Sequence, residues 1–261
     1  SIDDKSSLET SIGYQFGEMG NSRLDYAGGA NPSPAYYQDL PSYFLADTDG
    51  PDYEGAYIAQ ENFINNGQIN WNRIYDANLT NNQANLNAAY VLYEDRVDDT
   101  QLTINSAYNR EINENIKVTA SANYRNLVSD NFAEISDMLG GYSYSNIDSF
   151  DYLDYNLLSP NSIVYEGDKF KYHYKMNAEE MSLFSMINFS FNKLEFYVAG
   201  DITNTTYQRD GIFENEANAG NSAGKGDEIS FDGYGIKAGI TYKFSGKHIL
   251  DFNSAYLQKA P

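Results

Sequence analysis

The sequence predicts an all-β protein: an antiparallel transmembrane β-barrel segment of about seven strands with long loops at one end. Three observations predict it. Apolar and polar residues alternate over short runs, the two-residue period of a strand with unlike faces. Tight and long connections follow one another along the chain, so the tight turns fall at one end of a sheet and the long loops at the other. Composition favours strands and turns, with 24 Tyr and 14 Phe against one Trp, and with Thr, Asn, Ser and Gly plentiful.

The runs come in order. In 8–16, Leu8, Ile12, Tyr14 and Phe16 oppose Glu9, Ser11, Gly13 and Gln15. In 102–108, Leu102, Ile104 and Tyr108 oppose Thr103, Asn105 and Ala107. In 116–124, Ile116, Val118, Ala120, Ala122 and Tyr124 oppose Lys117, Thr119, Ser121 and Asn123. Shorter alternations follow at 187–191, 194–202, 236–244 and 250–256. EINEN (111–115), FNK (191–193) and SGK (245–247) each separate two runs and read as hairpin turns. The long connections span 18–89, 131–167 and 210–227. One face of such a sheet meets either core or lipid, and the other meets water. A soluble sandwich distributes its loops less one-sidedly than this chain does, which favours the barrel. Phe191, Phe196, Tyr242, Phe244 and Phe252 gather near the tight turns, as in an interfacial girdle or in ordinary sheet packing.

Charge and residue usage exclude several functions. The formal net charge is −20, so a phosphate-binding surface for nucleic acid is not expected. The chain has no cysteine, which removes disulfides and thiolate metal sites. No run approaches the roughly 20 apolar residues of a membrane helix, although a barrel strand needs only about 10. His173 and His248 sit in strand-like runs, outside any HExxH pattern or recognisable triad. GNSAGKG (220–226) has one residue too few between its glycines for a phosphate loop and reads as a loop tip. No enzymatic activity is expected.

Binding residues are expected in the loops. AYYQDLPSYFL, the Trp71 region and IDSFDYLDYNLL place aromatic faces beside Asp and Asn, a combination suited to sugars, peptides or chelates. The candidates are Tyr36, Tyr37, Tyr43, Trp71, Tyr152 and Tyr155; the bland alternative is that such loops pack on themselves. Asp47, Asp49, Asp52 and Glu54 surround Gly50 and Pro51 and form a candidate Ca²⁺ site, with a solvated acidic loop as its alternative.

Several segments in register carry a resemblance: NPSPAYYQDLPSYFL (31–45), INWNRIYDAN (69–78), YVLYEDRVDDTQLTINSAYNREINENI (90–116), EGDKFKYHY (166–174), TNTTYQRDGIF (203–213) and SGKHILDFNSAYLQKAP (245–261). In this order they resemble the barrel region of TonB-dependent outer-membrane receptors of the Bacteroidetes, in the branch with a carboxypeptidase-like regulatory domain. The resemblance implies a barrel of about 22 strands around a plug. Residues 1–261 would be one partial barrel domain, with the plug, TonB box and C-terminal strands outside the sequence. It also implies active import of a small molecule, glycan or peptide, and location in the cell outer membrane. The implied partners are the TonB complex, outer-membrane lipid and, left open, a surface lipoprotein. The alternative is a soluble β-rich binding or adhesin domain.

Overall fold

The computed structural model describes residues 4–46 and 50–259. Ten strands run in chain order: β1 (Ser6–Tyr26), β2 (Tyr90–Asn113), β3 (Ile116–Asp137), β4 (Tyr144–Ser145), β5 (Ile163–Val164), β6 (Lys169–Ser190), β7 (Leu194–Gly211), β8 (Gly224–Lys225), β9 (Ile229–Ser245) and β10 (His248–Gln258). Seven of them form one antiparallel path, β1-β2-β3-β6-β7-β9-β10, with β8 added on β7 as the eighth strand of the sheet. β4 and β5 pair separately. The path ends at β1 and β10.

The tight turns fall where the alternation breaks. Asn115 closes the β2-β3 turn, its N–H donating to Asn113 Oδ1 at 2.9 Å. Its Nδ2 donates to the Ser190 carbonyl at 2.6 Å, tying that turn to the end of β6. β6 and β7 are joined through 191–193, and β9 and β10 through 246–247. Near these turns Phe189 stacks on Phe196 at 4.5 Å between ring centroids.

Cross-strand register makes the two faces continuous. Ile12 pairs Ile104, Ile104 pairs Tyr124, and Tyr124 pairs Met181. Closer to the turns, Val118 pairs Ile187, Ile187 pairs Val198, and Val198 pairs Ala238. Because the side-chain period is two, this register keeps one face apolar across all seven strands. That face is bare: Ile12 is 73% exposed, Leu183 54% and Ile236 60%. The opposite face is polar and better covered. The Tyr197 ring and the Asn253 side chain lie over the Cα of Gly239, and Asp201 lies over Gly235, so a Cβ at either position would have to push these side chains aside.

The strands are longer than the alternation predicts. β1 continues to Tyr26 and β2 starts at Tyr90, so the first connection is 27–89, shorter than the expected 18–89. β3 likewise runs to Asp137. A strand of 24 residues such as β2 is about 80 Å long at ~3.3 Å per residue. The extra length lies at the long-loop end, where charged residues stand on both faces of β2, as in Glu94, Asp95, Arg96, Asp98 and Asp99.

The first long connection is also helical, which composition did not predict. It holds α1 (Pro41–Leu45), α2 (Tyr53–Asn66) and α3 (Trp71–Gln83). Asp52 caps α2 by accepting the Gly55 N–H at 2.9 Å, and Asn70 caps α3 by accepting the Arg73 N–H at 3.0 Å. No helix among the described residues is long and apolar enough to cross a membrane.

Candidate functional site

The buried core lies at the long-loop end and is built on the polar face. There Tyr93 pairs Ile135, and Ala133 pairs Phe170. These four join Val91, Ala88, Met138, Tyr144 and Val164 in one apolar cluster. Tyr144 and Val164 belong to the connection 138–168, so that connection folds over the polar face and covers its upper end.

A bulge in β6 aims polar groups under this cover. Phe132 pairs His173 but the next residue, Ala133, pairs Phe170, which leaves Lys171 and Tyr172 without a partner on β3. Lys171 holds φ +60, a strained value for a side-chain-bearing residue. Its N–H donates to buried Asn146 Oδ1 at 2.9 Å, which stabilises that conformation. The Lys171 ammonium meets Asp25 at 2.9 Å and lies 4.6 Å from the Tyr93 ring centroid. Tyr172 donates its hydroxyl to Asp95 at 2.8 Å, and Arg23 Nε meets the same carboxylate at 2.6 Å. Two acid–base pairs, Arg23–Asp95 and Lys171–Asp25, thus line the polar face; the Lys171 ammonium lies against the Tyr93 and Phe170 rings, whereas Arg23 is largely exposed.

Tyrosines of the cover complete the arrangement. Tyr144 donates to Asp25 Oδ2 at 3.1 Å. Burial, reinforced by the Asp25 charge and by this hydrogen bond, raises the Tyr144 pKa far above that of a free phenol. Tyr155 donates to Asp148 Oδ2 at 2.9 Å; burial and this bond raise its pKa too. Asp148 is held below its ordinary value, chiefly by the Asp151 N–H and also by the Phe150 N–H, against an opposing contribution from burial. Both tyrosines therefore stay neutral donors at any physiological pH.

The three long connections interlock. Asn78 of α3, fully buried, donates to the carbonyls of Tyr90, Met138 and Leu139 at 2.8, 3.0 and 3.1 Å. It accepts from the Ala89 and Tyr90 N–H groups at 2.9 and 3.1 Å. One side chain so joins α3, the start of β2 and the end of β3. Ala88 N–H adds a bond to the Ser143 carbonyl at 2.7 Å. On the other flank, Leu157 N–H donates to the Glu214 carbonyl at 2.7 Å and Glu216 N–H to the Asp154 carbonyl at 3.0 Å. Connection 138–168 is the keystone between 27–89 and 212–228.

The expected binding residues fall into separate groups. Tyr36, Tyr37 and Tyr43 form an edge-to-face series, 4.9 Å between the first two rings and 5.8 Å between the last two. Trp71 opens α3 and is exposed. Tyr155 belongs to the covered cluster, while Tyr152, with φ +59, is 82% exposed. Of the candidate calcium ligands, Asp47 and Asp49 lie outside the described residues. Asp52 is engaged as the α2 cap, and Glu54 sits in the first turn of that helix, where a negative charge is favoured. Among the described residues no cluster of three or more metal-ligating side chains occurs.

The histidines take different surroundings. His173 Nε2 lies 2.8 Å from Asp130 Oδ1 and 3.3 Å from Lys169 Nζ. His248 sits at the β9-β10 turn, its Nδ1 3.1 Å from Ser245 Oγ. Sequence reasoning missed Asp25, Asp95, Lys171 and Tyr144, because their partners are 70 or more residues away and no local spacing links them. The one available signal was Tyr and Lys alternating in KFKYHYK (169–175), where aromatic and cationic side chains mix on a strand. Compared with known proteins, the chain matches no family model and no curated protein.

Proposed function

We propose that the chain is part of an outer-membrane active-transport receptor. It captures a scarce solute at its long-loop end and imports it through a plugged barrel, using energy transduced by TonB. The observation that carries this reading is the bare apolar face. Side chains such as Ile12, Leu183 and Ile236 have no second protein layer over them, yet they form continuous rows across seven strands. Exposed apolar surface on this scale is costly in water and favourable against hydrocarbon. The polar face then lines a wet bore, and the strand edges at β1 and β10 need further strands beside them.

The segregation of turns supports the same reading, since barrels of this kind carry short turns at the periplasmic side and long loops outside. The work asked of the protein is physical. The interlocked loops supply affinity and shape, and the plug and TonB contacts belong to regions outside this sequence. A surface lipoprotein partner is part of the proposal through the resemblance alone.

The test is charge placement. Leu183→Lys and Ile236→Lys put ammonium groups on the apolar face, each costing about 2–4 kcal/mol near the bilayer midplane. Ser182→Lys and Thr241→Lys put them on the polar face. The expected outcome is loss of membrane assembly for the first pair and near-normal assembly for the second, read from outer-membrane fractions. Equal tolerance of both pairs overturns the proposal and leaves a β-rich binding domain in its place.

A further inference from the structure

A hollow of about 790 Å³ opens on the bare apolar face, a size within the roughly 300–1,000 Å³ of small-molecule sites. Two neighbouring cross-strand rows build it. In the first, Ser106 pairs Ala122, Ala122 pairs Leu183, Leu183 pairs Ile202, and Ile202 pairs Tyr234. In the second, one step nearer the loops, Tyr124 pairs Met181, Met181 pairs Asn204, and Asn204 pairs Asp232. Ser106 and Ala122 make low ground beside the taller Tyr124 and Met181, and Tyr234 stands at the far end. One step nearer the turns, Ala120 pairs Ser185 and Ser185 pairs Gly200. The low ground therefore runs on toward the middle of the apolar face.

The loop-side rim of the hollow is polar and offers acceptors. Asn204 Nδ2 donates to Ser230 Oγ at 2.9 Å and to Asp232 Oδ1 at 2.8 Å. Asn204 Oδ1 and Asp232 Oδ2 accept no side-chain hydrogen bond among the described residues, and Asp232 forms no salt bridge there. No Lys or Arg lines the hollow. The apolar face ends at this rim, since Glu179 and Thr206 follow Met181 and Asn204 on the loop side. A carboxylate at the edge of hydrocarbon is costly unless a donor reaches it. From Asn204 back to Gly200 the strand covers about 13 Å at ~3.3 Å per residue, so an occupant that meets both rim and low ground is elongated.

We propose that this hollow holds one acyl lipid of the surrounding membrane whose head group carries hydroxyl donors. The chain lies over Ala122, Ser185 and Gly200, flanked by Leu183 and Ile202. The head-group O–H groups donate to Asp232 and Asn204. A phosphate head would set an anion beside the Asp232 carboxylate, and an ester head without donors would leave the acceptors unpaired. The hollow thus selects one lipid class from the fluid around the barrel. The inference names a lipid for the apolar face and rests on the transport reading.

The experiment is native mass spectrometry of the full protein, extracted from outer membranes in an amine-oxide detergent whose head carries no hydroxyl. Monopalmitoylglycerol is the probe, with methyl palmitate and palmitoyl lysophosphatidic acid as comparisons. The expected result is one monopalmitoylglycerol per protein, bound at least tenfold more tightly than either comparison. Ala122→Phe fills the low ground with apolar atoms and weakens the probe at least tenfold. Ala238→Phe, the same change on the same face outside the hollow, leaves binding unaltered. Asp232→Leu lowers the probe to the level of methyl palmitate. Several molecules of every lipid bound alike and indifferent to Ala122→Phe overturn the proposal. So does a second copy of the chain in the hollow, seen as a dimer that Ala122→Phe dissociates. Both of these outcomes come from protein recovered in the outer membrane and leave the transport reading standing. Protein that never reaches the outer membrane removes the transport reading and the lipid site with it.

Discussion

Tyr144 shows how one residue sets the behaviour of a loop. Its ring is buried against Phe170, with centroids 6.1 Å apart, and its hydroxyl serves the Asp25 carboxylate that also holds Lys171. A hydrogen bond to a charged acceptor contributes about 1.5–3 kcal/mol. Tyr144→Phe should therefore speed hydrogen exchange of the amides at 144–147 and 162–165 about tenfold or more, while the β6–β9 ladder keeps its protection. Asp148 gives the same loop a pH dependence. Its folded pKa lies below the ordinary 3.8, so the ionised form is the one favoured by folding. The stabilisation is complete above the ordinary value. It declines below that value and is gone once pH falls through the depressed one. Exchange at Phe150 and Asp151 should rise over that acidic window, and Asp148→Ala should make it fast at every pH. The first effect was not legible in the sequence, because Asp25 and Tyr144 are 119 positions apart; Asp148 is held by amides two and three positions on, a local turn that gives no alternation to read.

At the scale of elements, legibility followed the environment. Where one face is bare and apolar and the other polar, as in 116–124 or 236–244, alternation marked the strand. The Gly, Asn and Lys residues between such runs marked the turn. Toward the loop end charged residues such as Glu94 and Arg96 enter the face that was apolar, while Val91, Tyr93, Ala133 and Ile135 make the other face a buried core, so the alternation inverts and the strands run further than their pattern. The helices escaped for a related reason. α2 buries only Ala56 and Ala59, a narrow small-residue seam that leaves Tyr53, Tyr57 and Ile64 exposed and gives no broad apolar stripe. α3 buries only Asn78 and Ile74, the latter against Ala89, Tyr90 and Leu139, which again leaves no broad apolar stripe. Asn78→Leu would take a partner from five backbone groups in a buried junction; the Met138 carbonyl keeps the Gly141 N–H, and each group left unpaired costs about 1–3 kcal/mol. Limited proteolysis should then cut within 84–89, while the tight-turn end stays resistant.

At the scale of the molecule, the loop end behaves as an assembly with separable joints. Replacing 147–161 by a short Gly/Ser turn removes Asp154, Asn156 and Leu157, the bonds that hold 214–216. Exchange in 212–218 should accelerate, whereas 87–90, tied to Ser143 and Asn78, should stay slow. Equal loosening of both flanks would show that the cover is one cooperative unit. The long strands carry one more consequence under the transport reading. A strand about 80 Å long, tilted near 45°, rises about 55 Å, while the apolar belt of such barrels is ~25 Å tall. The surplus of ~30 Å, all on one side, stands like a turret above the lipid headgroups. Under that reading, solutes would reach the mouth without first crossing the layer of lipid headgroups.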